Sequence, residues 1–275
     1  GALNGLLRVR TFCQDDAHIF VTPAQIEDEI TLALKIIDHV YQVFGFEYDI
    51  ELSTRPDDYM GELTLWDQAE QALENVLKRL GFPYKINEGD GAFYGPKIDI
   101  HIKDAIKRSH QCATVQLDFQ LPEKFDLTYI NEDNEKVRPV VIHRAVFGSI
   151  DRFLGILIEH FGGAFPLWLA PKQVQLIGVS TVHHDYVKKV KEALRKEGIR
   201  VGVDERNEKL GRKIRDAQLQ KIPYILVLGD EEVATQAVSV RTYRQEGLEK
   251  MAIDTFIQQI KQEIAQKKLP ILTKL

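Results

Sequence analysis

Arg8, Arg10, Gln14, Asp16 and His18 fall at even positions near the start of the chain, while the odd positions Leu7, Val9, Cys13, Ala17, Ile19 and Val21 are mostly apolar. A period of two puts each set on one face of an extended chain, and it predicts a strand over 6–21. Arginine offers planar pairs of N–H donors suited to phosphate. A carboxylate two residues from an imidazole can hold an amine beside a metal. The pattern alone leaves two readings open, a solvated face of an antiparallel sheet or the floor of a ligand site. His143, at the end of a strand expected over 137–142, offers a second imidazole. Two imidazoles from different strands are half of a zinc site. No third ligand stands out: Cys13 falls on the opposite face from His18, Cys112 has no supporting spacing, and His183 and His184 lie far along the chain. Gly148, Arg152 and Gly155 are spaced to share one face of a helix expected over 144–161. Glycine there admits either a flat ligand beside an arginine or tight packing under a snorkelling one.

The elements that must position these groups follow from periodicity. Thr22-Pro23 opens a helix through Ile26, Ile30, Leu34, Ile37 and Val40. A strand is expected from Phe46 to Ser53 and a helix over 64–80. The glycine-dense turn Gly89 to Pro96 precedes strands over 97–103 and 111–119. This half reads as an antiparallel-leaning sheet carrying helices. Two glycines and two prolines between Gly162 and Pro171 mark the expected boundary, giving domains 1–165 and 172–275 with a linker over 166–171. Beyond it come strands over 174–179 and 200–204, helices over 184–197 and 208–219, strands over 224–228 and 238–242, and a helix over 253–267. That order predicts a small α/β domain with a mostly parallel sheet.

With 275 residues, 44% of them hydrophobic, the chain can bury two cores, and 28% charged residues without Gly/Pro bias exclude disorder and collagen. No apolar run approaches the ~18–20 residues of a membrane-spanning helix. Two cysteines build no disulfide framework, so a reducing, cytoplasmic setting is expected. The net charge of −5 hides an asymmetry: residues 171–275 hold 20 basic and 14 acidic side chains, and residues 1–170 hold 16 and 27. A basic module beside an acidic one suits a protein that holds a polyanion at one end. The chain starts at Gly1 without a signal-peptide pattern and opens as if inside a structured segment, so a fragment is expected.

Five stretches in order, 8–20, 89–97, 114–119, 143–152 and 206–215, together resemble the threonyl-tRNA synthetase family. The resemblance implies the C-terminal part of an α+β, antiparallel-sheet class II synthetase catalytic domain, truncated at its N-terminus. A small α/β mixed-sheet anticodon-binding domain would follow it. The implied reaction joins ATP and L-threonine to threonyl-adenylate and pyrophosphate, then passes the threonyl group to tRNA(Thr). By resemblance, Arg8 and Arg152 are the catalytic arginines of motifs 2 and 3. They would bind ATP with Gln111 and Ser149. Gln14, Asp16, Tyr94, Lys97 and Gln116 would bind threonine, His18 and His143 would bind zinc, and Asn207, Glu232 and Arg241 would contact the anticodon. ATP would enter with Mg2+. Asp151 stands where the family commonly has Glu.

The resemblance also places motif 1 with its homodimer interface, the start of motif 2 and a zinc-binding cysteine ahead of Gly1. The isolated chain is therefore expected not to catalyse. An alternative of another class is a non-catalytic, truncated paralogue that grips RNA through 171–275. Retention of Arg8, Asp16, His18, His143 and Arg152 favours the ligase. The paired histidines with Asp16 also argue against the related prolyl, histidyl and glycyl enzymes.

Overall fold

A computed structural model describes residues 2–243 and 247–269. The chain divides between Glu159 and His160 into two compact units.

In the first unit a six-stranded sheet runs in the order β1-β8-β5-β4-β2-β3. Its strands are β1 (Ala17–Val21), β2 (Tyr48–Ser53), β3 (Lys85–Asn87), β4 (Lys97–Lys103), β5 (Ser109–Asp118) and β8 (Val140–Ala145). All neighbours are antiparallel except β2 and β3. Strands β6 (Tyr129–Ile130) and β7 (Lys136–Val137) form a separate two-stranded ladder. Helices α1 (Ile26–Phe44) and α2 (Leu63–Leu80) bury apolar stripes, Ile30, Leu34, Ile37 and Tyr41 on the first and Leu73, Val76 and Leu77 on the second, and the short α3 (Gln120–Lys124) follows β5. The α1 entrance is fixed by Pro23 and by the Thr22 N–H, which donates to Gln25 Oε1 at 2.9 Å. Alternation along the central strands then sorts the side chains. Ile98, Ile100 and Ile102 of β4, Val115 and Leu117 of β5 and Ile142 of β8 are fully buried. The opposite face of the same strands carries Lys97, Asp99, Gln116, Asp118 and His143.

Three expectations need correction here. The strand over 6–21 exists only from Ala17. Its partner β8 ends at Ala145, and beyond that the Asp15 carboxylate takes the N–H groups of Val146 and Phe147 at 2.7 and 2.9 Å, in place of strand pairing. The helix over 144–161 starts only at Ile150, as α4 (Ile150–His160). The preceding residues finish β8 and turn at Gly148, whose φ is +65°. Gly148 therefore shares no helix face with Arg152 and Gly155. His143 lies inside β8 rather than ending a strand, because the expected 137–142 strand is split between β7 and β8.

In the second unit a five-stranded sheet runs β10-β9-β11-β12-β13, with β9 (Val174–Gly178), β10 (Val201–Val203), β11 (Tyr224–Leu228), β12 (Ala237–Thr242) and β13 (Glu249–Ala252). Pairing is parallel from β10 through β11 and antiparallel from β11 through β13. The sheet is thus evenly mixed, not mostly parallel. Helices α5 (His184–Lys196) and α8 (Ile253–Ala265) close one face over Leu176, Leu226 and Val238. Helix α6 (Leu210–Leu219) closes the other over Ile177, Ile225 and Val227. The short α7 (Asp230–Thr235) and β13 have no apolar periodicity in the sequence and were not expected from it. Among the described residues no helix is long and apolar enough to cross a membrane.

Candidate functional site

Four strands line up one row of polar side chains. Lys97 of β4 stands opposite Gln116 of β5, Gln116 opposite His143 of β8, and His143 opposite His18 of β1. The two imidazoles meet edge to face, with ring centroids 4.6 Å apart. His143 Nε2–H donates to Asp118 Oδ2 at 2.9 Å. Asp118 is itself fully buried and anchored by the N–H groups of Gln120 and Leu121 at 2.8 and 3.0 Å. A carboxylate that fixes one ring nitrogen leaves Nδ1 free to ligate, an arrangement common behind metal-bound histidine. Among the described residues no group of three or more His, Cys, Asp or Glu side chains is close enough to hold a metal. His18 and His143 are two imidazole donors, half of the four that a tetrahedral zinc shell takes.

Tyr94 closes this end of the row. Its ring centroid lies 5.7 Å from that of His143, and its hydroxyl donates to Gln116 Oε1 at 2.7 Å. Burial, and then the negative charges of Asp118 and Asp16, push the phenol pKa up, so Tyr94 remains a hydrogen-bond donor at neutral pH. Burial works against the Lys97 ammonium, but Asp99 at 2.9 Å and Asp90 at 3.4 Å overcome it and raise its pKa. Lys97 is thus a fixed cation. Tyr94 owes its place to the turn before β4. A Cβ built on Gly95 would sit 1.9 Å from the Leu117 carbonyl oxygen, so only glycine lets this turn lie against β5.

Beside the row is a cavity of about 250 Å³, lined by Arg8, Gln14, Gln111, Ser149 and Arg152 among others. Gln14 pairs with Ser149 through an isolated β-bridge, and Arg152 Nε donates to the Leu7 carbonyl at 3.1 Å. Two guanidiniums from segments distant in sequence thereby face one space, as a polyphosphate requires. Cys112 also lines the cavity, but burial pushes its thiol up to about 12, which makes it a wall rather than a nucleophile. Gln14, expected beside threonine, is placed in this cavity.

Sequence reading missed Asp15, Asp99 and Asp118. For Asp99 and Asp118 the available signal was a carboxylate between apolar neighbours in a buried strand, as in Ile98-Asp99-Ile100, since such a charge requires partners; Asp15, between Gln14 and Asp16, carries no such signal.

In the second unit Asn207 is exposed in the segment after β10. That segment is clamped by Arg206, which bonds the Asp204 carboxylate at 2.9 and 2.7 Å and Asp216 at 2.9 Å. Arg241 lies on β12 opposite Ile225, and its Nε is buried without a hydrogen-bond partner among the described residues. Glu232 is buried, and its carboxylate accepts from the Gly229 N–H at 2.8 Å and the Ser239 hydroxyl at 2.6 Å. These bonds outweigh burial and hold its pKa down. A nucleobase could engage Glu232 only by sharing that carboxylate.

Residues 1–161 match the family model of the tRNA synthetase class II core domain (G, H, P, S and T), and residues 173–263 match that of the anticodon binding domain. Fold and site together define a class II aminoacyl-tRNA synthetase core followed by an anticodon-binding module. Over 256 residues the chain is 70% identical to threonine–tRNA ligase 2 of Bacillus subtilis, covering 93% of this chain and 40% of that protein. The crystal structure titled as the RNA binding domain of threonyl-tRNA synthetase from Cryptosporidium parvum superposes with a TM-score of 0.91 at 42% identity, covering 98% of this chain and 68% of that one. The chain belongs to the threonyl-tRNA synthetase family. It spans about 40% of the length of the curated relatives it matches. A prolyl-tRNA synthetase structure from C. parvum shares the fold alone, at a TM-score of 0.66 and 15% identity.

Proposed function

We propose that the protein to which these residues belong activates L-threonine with ATP and transfers it to tRNA(Thr). The reading assigns residues 1–165 to the catalytic domain, 166–171 to the linker and 172–275 to the anticodon-binding domain. The observation that carries it is the adjacency, within one unit, of the His18–His143 pair with Tyr94 and the two-arginine cavity. In this reading Arg8 and Arg152 neutralise the triphosphate, brought in with Mg2+, while the threonine carboxylate attacks the α-phosphate and pyrophosphate leaves. Gln111 and Ser149 complete the ATP side. Asp16 holds the substrate amine, Tyr94, Lys97 and Gln116 bound the threonine pocket, and Gln14, which lines the two-arginine cavity, reaches threonine from that side. Such chemistry needs positioning and charge stabilisation, not a protein nucleophile.

Zinc fits the selection problem. Threonine and valine are isosteres, and an apolar pocket separates such a pair by only ~10²-fold. Zinc held by His18 and His143, with a third ligand from outside this stretch, would supply a Lewis acid able to bind an amine and an alcohol together. The experiment is threonine-dependent ATP–pyrophosphate exchange by the full-length protein. Exchange with threonine is the expected result, and exchange only with another amino acid would overturn the reading. The 275 residues alone, which hold two of the zinc donors, are expected to give no exchange.

For the second unit we infer that Asn207 and Arg241 contact the anticodon, with Glu232 beside them. Arg241→Ala is expected to weaken tRNA(Thr) binding by ~1–3 kcal/mol and to relax discrimination between anticodons. Filter binding with anticodon variants checks this, and an equal loss for every RNA would reduce Arg241 to a backbone contact.

A further inference from the structure

Asp99 is a heavily engaged side chain of the first unit that the assignments above leave without a role. It is 1% exposed and lies at the centre of the sheet, on the polar face. Its two oxygens serve different partners. Oδ1 accepts from Gln111 Nε2 and from Thr114 Oγ1, the latter at 3.1 Å. Oδ2 accepts from Ser53 Oγ at 2.9 Å and pairs with Lys97 Nζ at 2.9 Å. Gln111 and Thr114 line the two-arginine cavity, whereas Lys97 belongs to the row that ends at the histidines.

Every one of these contacts is a donor facing an acceptor. A carboxylate is the side chain that accepts on both oxygens; an amide of the same shape offers one acceptor and turns an NH2 toward two donors. The arrangement therefore depends on the charge as well as on the shape. A buried carboxylate costs free energy unless it is fully hydrogen-bonded, and here the cost is offset by partners that belong to two separate subsites.

We propose that Asp99 is a positioning residue that couples the two substrate subsites, with one oxygen setting Gln111 on the ATP side and the other setting Lys97 on the threonine side. This rests on the assignment of those subsites above. Asp99 touches no substrate itself. Its role is to make the two half-sites one rigid unit, so that filling one orders the other. Bound ATP should then lower the KM for threonine, and bound threonine the KM for ATP.

The test is ATP–pyrophosphate exchange by the full-length protein with each substrate varied at several fixed levels of the other. For Asp99→Asn we expect KM to rise for both substrates, each by about tenfold, the loss typical of hydrogen bonds to a charged group. The mutual dependence of the two KM values should disappear. Active-site titration separates this from partial unfolding, which would lower the active fraction and leave both KM values unchanged. Ser53→Ala is the milder companion, and it keeps the carboxylate. Because Ser53 shares Oδ2 with Lys97, it should raise the KM for threonine more than that for ATP. Unchanged KM values in Asp99→Asn, or equal shifts for both substrates in Ser53→Ala, would overturn the coupling. A wild-type protein without threonine-dependent exchange would instead overturn the subsite assignment.

Discussion

Arg152→Ala in the full-length protein is expected to lower the rate of ATP–pyrophosphate exchange by about 10²–10³-fold, the loss typical when one preorganised charge-stabilising group is removed. Two features make the effect large. Arg152 lines the same cavity as Arg8, so the site would lose one of the two guanidiniums that face a triphosphate. Its Nε also donates to the Leu7 carbonyl at 3.1 Å, which ties α4 to the segment that presents Arg8. Removing Arg152 thus deletes a charge and loosens its partner. Arg152→Lys should recover part of the rate, because the charge returns without the planar fork. Thermal denaturation should change little, since the side chain is only partly buried and, among the described residues, its hydrogen bond is to the Leu7 carbonyl. An exchange rate equal to wild type would remove Arg152 from the phosphate site.

Gly95→Ala should be the most damaging single methyl group in the first unit. The added Cβ would lie 1.9 Å from the Leu117 carbonyl oxygen and 3.0 Å from its carbon, both backbone atoms of a central strand. Neither can rotate away, so the turn must lift off β5. The Leu117 N–H bond to the Pro96 carbonyl, at 3.1 Å, would go with it. So would the Tyr94 contact to Gln116. Overpacking of this kind costs about 3 kcal/mol at the upper end of its usual range. Chemical denaturation should show that loss, accompanied by a raised KM for threonine. Gly211→Ala is the control: beyond its chain neighbours and its own helix backbone no described atom lies within 4 Å of the point its Cβ would occupy, and α6 should gain up to about 1 kcal/mol from alanine. A Gly95→Ala protein as stable as wild type would mean that the turn sits elsewhere.

Much of this architecture is legible in the sequence where periodicity is strong. The strand from Tyr224 to Leu228 and the strand from Lys97 to Lys103 are bounded as expected, because apolar runs or strict alternation end at clear breaks. The stretch from Arg8 to Asp16 misled the two-residue rule. Its alternation is real, but a strand needs a partner, and the partner turns away at Gly148. Asp15, one residue out of the alternating polar set, proves to be the side chain that replaces the missing ladder. Residue types alone offer His18 and His143 as a candidate pair, but their convergence does not follow from local pattern, since a register between strands about 120 residues apart is set by the whole sheet. The same holds for Asp99 and Asp118. Their surroundings in sequence are apolar, and only the folded sheet reveals the donors that make a buried carboxylate tolerable.

The most direct measurement compares threonine with valine in ATP–pyrophosphate exchange by the full-length protein, before and after His143→Ala, with bound zinc determined in both proteins. The account predicts that wild type carries zinc and prefers threonine by well over the ~10²-fold that shape alone provides, and that the variant loses both the metal and the preference. A His143→Ala protein that keeps its zinc and still rejects valine would contradict it.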